Sequence, residues 1–177
     1  MTKKFFLAIA AMAMAASWSA ISPVAAQDGD VTGEAPVKET FGDWEQRCAE
    51  DGRCYIFQQA VNEDGNPLLR VRIAKLAQPL DDGQGAQVIA RADIITPLDV
   101  FLPNGVGLRI DDGPIQTAVF VRCRPIGCVA RPPLTNQLID AMKSGGEATF
   151  VLFQDPQDGP VLAPISLSGF TAAIDSL

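Results

Sequence analysis

Leu69, Val71 and Ile73 alternate with Arg70 and Arg72, and Val88, Ala90, Ala92 and Ile94 alternate with Arg91 and Asp93. An apolar residue at every second position turns one face of an extended chain toward a core and the other toward water, so both segments read as half-buried strands. Lys75 falls on the apolar side of the first, which predicts an end or a bulge near Ala74. Further strand-like runs lie at Cys54 to Val61, Val106 to Ile110, Ile115 to Cys123, Cys128 to Arg131, Ala148 to Phe153 and Val161 to Leu167. Between them stand Asn62-Glu63-Asp64-Gly65-Asn66-Pro67, Pro103-Asn104-Gly105, Asp111-Asp112-Gly113-Pro114 and Asp155-Pro156-Gln157-Asp158-Gly159-Pro160. Asn-Gly and Asp-Gly tolerate the positive φ of tight turns, and proline stops a strand. About nine short strands punctuated in this way predict a mainly β chain, a sandwich or a barrel.

One segment departs from that period. In LTNQLIDAMKSGG, Leu134, Leu138, Ala141 and Met142 recur at helical spacing, after Pro132-Pro133 and before Gly145-Gly146. A short amphipathic helix capping one end of the sandwich is expected there. The tail GFTAAIDSL is expected to add a last helical turn that packs Phe170 and Ile174.

The N-terminus has Lys3 and Lys4, an apolar run from Phe5 to about Ala16, and small residues ending in Val24-Ala25-Ala26. That order is a secretory signal over residues 1–26, with an apolar run shorter than the roughly 20 residues of a membrane span. No cysteine stands near the cleavage site to carry a lipid. Residues 27–39, polar and carrying Gly and Pro, are expected to be a flexible leader, and 40–177 a single domain. Without Lys3 and Lys4 the chain sets 12 basic residues against 21 acidic ones, a net charge of −9. Such a field disfavours nucleic acid or an anionic membrane as the main partner. Nine of the 12 basic residues are arginine, the side chain suited to bidentate carboxylate pairing, so ion pairs within the domain are expected.

Cys48, Cys54, Cys123 and Cys128 all lie in the exported part, where an even count implies two disulfides. Three connectivities are open; pairing Cys48 with Cys54 and Cys123 with Cys128 suits loops that turns can close. The spacing is not C-x-x-C, so a thioredoxin-like redox motif has no support. The chain has no histidine, which excludes Ser-His and Cys-His catalysis and any His-ligated metal.

Carboxylates remain as catalytic candidates. Asp43 with Glu45, Asp81 with Asp82, and Asp111 with Asp112 could serve glycoside hydrolysis, although the last two pairs precede glycines in turns where Asp bonds locally. In NEDGNPLLRVRI, Asn62, Asp64 and Asn66 alternate as in a calcium loop, but Pro67 and Ile73 occupy the positions of the required glycine and glutamate. No metal and no cofactor is implied. Arg122, Arg124 and Arg131 cluster around the second cysteine pair, with Arg122 and Arg124 on one side of their strand. They make either a solvated face paired with nearby acids or an anion-recognition patch for a partner.

The segments FGDWEQRC, CYIFQ, TPLDVFLPNGVGLRID, FVRCRPIGCVA and SLSGFTAAI, in this order, resemble the invasion-associated locus B family of proteobacterial envelope proteins. The resemblance covers about residues 40 to 177. It implies an immunoglobulin-like β-sandwich in an exported, periplasmic or envelope protein, with founding members associated with host-cell invasion and no known catalytic residues. Asp99 departs from it, standing where the family's stretch has glycine. Antibody-type Cys, Trp, Cys spacing is absent, so the immunoglobulin likeness is architectural. Trp44 shares strand parity with Cys48, which predicts an indole packed beside the first disulfide; an exposed aromatic anchor for a partner is the alternative.

The expected function is a non-enzymatic binding module for an envelope or host-surface protein. A carboxylate-based envelope-glycan hydrolase and a structural envelope component are the rival readings. Residence in the periplasm, on the outer membrane or outside the cell stays open.

Overall fold

The computed structural model describes residues 34–83 and 85–177. The secretory signal over 1–26 lies outside the described residues, as does the leader up to residue 33.

Among the described residues the chain forms twelve strands, all paired antiparallel. They are β1 Val37–Phe41, β2 Trp44–Cys48, β3 Cys54–Val61, β4 Pro67–Asp81, β5 Gln87–Thr96, β6 Val106–Ile110, β7 Gln116–Ala118, β8 Phe120–Arg124, β9 Gly127–Ala130, β10 Pro133–Thr135, β11 Glu147–Leu152 and β12 Val161–Ser166. Two helices, α1 Asn136–Ser144 and α2 Phe170–Asp175, complete the fold. The larger sheet has the order β1-β2-β3-β4-β5-β9-β8, with β10 also paired to β5; the smaller has the order β12-β11-β6-β7. Their inner faces enclose one core that includes Trp44, Ile56, Val71 and Ile94 from the larger sheet and Val106, Phe150 and Ile165 from the smaller. This is the expected β-sandwich. Among the described residues, no helix is long and apolar enough to cross a membrane.

The alternation read in the sequence holds. Leu69, Val71 and Ile73 are buried while Arg70 and Arg72 face outward, and Val88, Ala90, Ala92 and Ile94 are buried beside the outward Arg91 and Asp93. The irregularity expected near Ala74 comes just beyond it, as a register shift between Lys75 and Leu80 after which β4 continues to Asp81.

Three expectations need correcting. The apolar run from Ile115 to Cys123 is two strands, because the chain leaves the smaller sheet after β7, turns through Val119 and joins the larger sheet as β8. The last residues of the expected leader 27–39 are ordered: Val37–Phe41 is a strand paired with β2, and Glu34 is held against the larger sheet by charge. Polar composition conceals an anchor of that kind. In α1 the buried residues are Leu138, Ile139 and Met142, with Leu134 in β10 and Ala141 exposed. Thr135 sets this phase, since its side chain accepts a hydrogen bond from Leu138 N and caps a helix that starts at Asn136, two residues after Leu134.

Helix α2 closes the N-terminal end of the core. Phe170 and Ile174 are buried as expected. The helix approaches the β1–β2 turn so closely that a Cβ on Gly169 would lie 2.0 Å from the Phe41 carbonyl oxygen and one on Gly42 2.7 Å from that of Ser168. Both glycines have positive φ, +83° and +57°, so two glycines make this contact feasible. Asp43 N then bonds Ser168 O at 3.1 Å.

Candidate functional site

The β8–β9 hairpin carries the arginine-rich tract FVRCRPIGCVA. Cys123 and Cys128 stand opposite each other in the register, with Cα atoms 3.9 Å apart, and are joined by a disulfide that closes the turn. Gly127, at φ +133°, lets β9 lie on β5, because a Cβ there would come within 2.2 Å of the Thr96 carbonyl oxygen. The two strands differ sharply in environment. All four residues of β9 are buried, whereas Val121 to Arg124 of β8 are exposed.

Strand β8 ends the larger sheet, so its second edge has no strand partner among the described residues. An open edge presents unpaired N–H and C=O groups that can template another strand. Arg122 and Arg124 make no ion pair among the described residues, and the exposed Val119, Val121 and Ile126 flank them. Apolar contact area and unpaired cations therefore share one edge. Beneath the hairpin tip, an open groove of about 250 Å³ is lined by Pro67, Leu68, Arg70, Pro97 and Ile126. Arg70 Nη2 donates to the Ile126 carbonyl oxygen at 3.1 Å and ties this tip to β4.

Arg131 does not join that pair. Its Nε donates to Asp93 Oδ1 at 2.6 Å and its Nη2 to Oδ2 at 3.4 Å, and this hydrogen bonding raises the guanidinium pKa. The expected pairing with nearby acids thus holds for Arg131, while Arg122 and Arg124 find no acid among the described residues. Trp44 is fully buried, which excludes the exposed aromatic anchor. Its indole Nε1 donates to Ser166 O at 3.0 Å and its ring meets the edge of Phe170 at 5.2 Å, so its aromatic partner comes from α2. Cys48 does pair with Cys54, four positions along the same strand.

A second cluster escaped the sequence reading. On the outer face of the larger sheet, the side chain of Glu34 is 1% exposed. It accepts from Tyr55 Oη at 2.7 Å, from Arg72 Nε at 3.0 Å and also from Arg72 Nη2, and from Arg70 Nη1 at 3.4 Å. The arginine excess signalled internal pairing, but nothing in the spacing shows which acid, 36 and 38 residues away, completes it.

Of the candidate catalytic carboxylates, Glu45, Asp81, Asp82 and Asp111 serve local structure. Asp111 is the single carboxylate lining an open groove of about 440 Å³ beside α1, and it accepts from the amides of Gly146 and Glu147. Asp81 accepts from Gly83 N, Asp82 from Ala86 N, and Glu45 pairs with Arg47 at 2.7 Å.

A model of the family described as Invasion associated locus B (IalB) protein matches residues 44–177, a span that contains both disulfide hairpins. The chain belongs to the invasion associated locus B family. An invasion protein B homolog of Brucella abortus (strain 2308) is 27% identical over 172 residues, covering 94% of each chain. Its counterpart in Brucella abortus biovar 1 (strain 9-941) gives the same values. In three dimensions the chain is similar to the crystal structure of invasion associated protein B from Bartonella henselae, with a TM-score of 0.65 and 20% identity, covering 78% of this chain and 93% of that one. At that identity the likeness establishes the fold. The family match begins at Trp44, so Glu34 lies upstream of the IalB span.

Proposed function

We propose that this IalB-family chain is an exported, periplasmic, non-catalytic interaction module, and that the open β8 edge is the surface it offers to an envelope protein. The observation that carries this reading is the contrast within one disulfide-closed hairpin, between a β9 strand fixed in the sheet and a β8 strand whose Arg122 and Arg124 have no ion pair among the described residues and stand among exposed valines. A partner adding an extended acidic segment along β8 gains main-chain hydrogen bonds from the edge and charge pairing from the arginines, on a molecule otherwise strongly acidic. The turn and helix-end bonding of Asp81, Asp82 and Asp111 favours a binding module over a hydrolase, which would need two carboxylates facing a substrate.

The test is capture from the envelope fraction by residues 27–177 and by the Arg122→Ala, Arg124→Ala double variant. One reproducible protein captured by the parent and lost with the double variant supports the reading; equal capture by both overturns it. The names of the Brucella relatives extend the proposal to host-cell invasion. A gene deletion that impairs host-cell entry while leaving envelope integrity unchanged supports that extension, and the reverse phenotype removes it.

A further inference from the structure

Burying a carboxylate is costly unless charged donors meet it, and Glu34 is met by side chains from β3 and β4 although its own segment leads into β1. The receiving side chains have supports that do not involve Glu34. Arg70 is tied to the Ile126 carbonyl, and Arg72 lies over the Tyr55 ring at 5.6 Å. Arg47 beside them is paired with Glu45 and stacked over Phe57 at 4.6 Å. The cradle is therefore organised independently of the carboxylate it holds, a property that favours ligand binding.

The contacts extend past the carboxylate to the next peptide unit. Ala35 N donates to Tyr55 Oη at 2.9 Å and Arg47 Nη1 donates to Ala35 O at 3.1 Å. Together these groups read a glutamate and the backbone of the residue after it, whatever that residue's side chain. Residues 34–36 belong to no strand, and β1 starts only at Val37. On the far side of Arg72 an open groove of about 310 Å³ includes Arg53, Arg91 and Asp93. Arg91 has no ion-pair partner among the described residues, and Asp93 is taken by Arg131. Arg53 is paired with Asp51 at 2.7 Å, so Arg91 is the cation of this groove left to meet further acidic residues of a longer chain.

We propose that Tyr55, Arg70 and Arg72 form a peptide-carboxylate site which Glu34 fills in cis, and that an extended acidic segment of a partner protein displaces Glu34 to bind there. This site is separate from the β8 edge and stands without that reading.

The test uses residues 27–177 with Glu34→Ala and, as probe, a capped peptide of the chain's own segment, VTGEAP, titrated by calorimetry. The expected result is binding at least tenfold tighter to the Glu34→Ala chain than to the parent, in which Glu34 competes. Glutamine for glutamate in the peptide should weaken it at least tenfold, and Arg72→Ala in the same background should abolish it. Arg122→Ala with Arg124→Ala should leave it unchanged, which keeps failure of this site distinct from failure of the edge. If Glu34→Ala does not fold, Glu34→Gln, which keeps the side chain's size, takes its place. Absence of binding to a folded variant, equal binding of both peptides, or failure of both variants to fold would each overturn the proposal, the last because a displaceable segment is not needed for folding.

Discussion

The molecule contains two hairpins closed by the same covalent device and set in different surroundings. In both, the cysteines face each other across an antiparallel pair, Cys48 with Cys54 and Cys123 with Cys128, with Cα separations of 4.1 and 3.9 Å. The first hairpin, β2–β3, lies inside the larger sheet; Trp44, Gln46, Ile56 and Phe57 are buried, and Arg47 is paired and stacked. The second, β8–β9, has one buried strand and one strand that neither sheet covers. A short-range disulfide therefore says little about role. What separates a structural hairpin from a presenting one is whether its outer strand has neighbours.

The largest expected effect lies in the first hairpin. Trp44→Ala removes a fully buried indole, its bond to Ser166 O and its contact with Phe170. Urea unfolding should show a loss of ~3–5 kcal/mol. A smaller loss would mean that the β2–β3 hairpin is less integral than the comparison holds.

Replacing either cysteine pair by alanine should cost about 2 kcal/mol, because loops this short gain little from closure. The sharper difference is in function: without Cys123–Cys128 the envelope capture should fall, and without Cys48–Cys54 it should persist in whatever fraction stays folded.

Tyr55, the single tyrosine of the chain, reports on the outer face beside the first hairpin. Burial is the main cause that raises its pKa above 10.0; the hydrogen bond to Glu34 and that residue's charge add to it, while the Ala35 amide and Arg72 oppose it. The folded chain then holds the phenol proton more tightly than the unfolded one. The associated stability is present in full below the unfolded pKa and is lost as pH rises through the folded one. Tyrosinate absorbance should accordingly rise at a higher pH in the folded chain than in urea, and the midpoint should move down in Glu34→Ala. An unmoved midpoint would separate Tyr55 from Glu34.

The smallest effect belongs to the second hairpin. Arg122→Ala with Arg124→Ala should change stability by no more than about 0.5 kcal/mol, since neither side chain is buried or ion-paired among the described residues. A larger loss would make β8 a structural strand and erase the distinction.

Much of the architecture is legible because burial writes itself into period. The alternation around Val71 and Ala92 marks β4 and β5 and the face each turns inward, and Pro132-Pro133 with the glycines after Ser144 brackets α1, while its start at the Thr135 cap is seen only in the structure. Local chemistry stops being informative where the decisive partner is distant. Val119 reads as the middle of one strand, because an apolar run looks the same whether it stays in a sheet or crosses between two. Trp44 could be placed in a strand, but its partner Phe170 lies in the C-terminal helix. Arg122 and Arg124 are visible as a pair, and only the strand order shows that no strand among the described residues covers their edge. Glu34 stood in a polar leader whose composition carries no sign of Arg70 and Arg72 waiting on β4.

The central claim, that β8 is a surface presented to a partner, is tested most directly by photo-cross-linking from a single benzophenone side chain placed at Val121, with the exposed Val61 of β3 as control position. The account predicts one discrete adduct in the envelope fraction from position 121, lost with Arg122→Ala and Arg124→Ala, and none from position 61. The same adducts from both positions, or an adduct at 121 indifferent to the arginines, would contradict it.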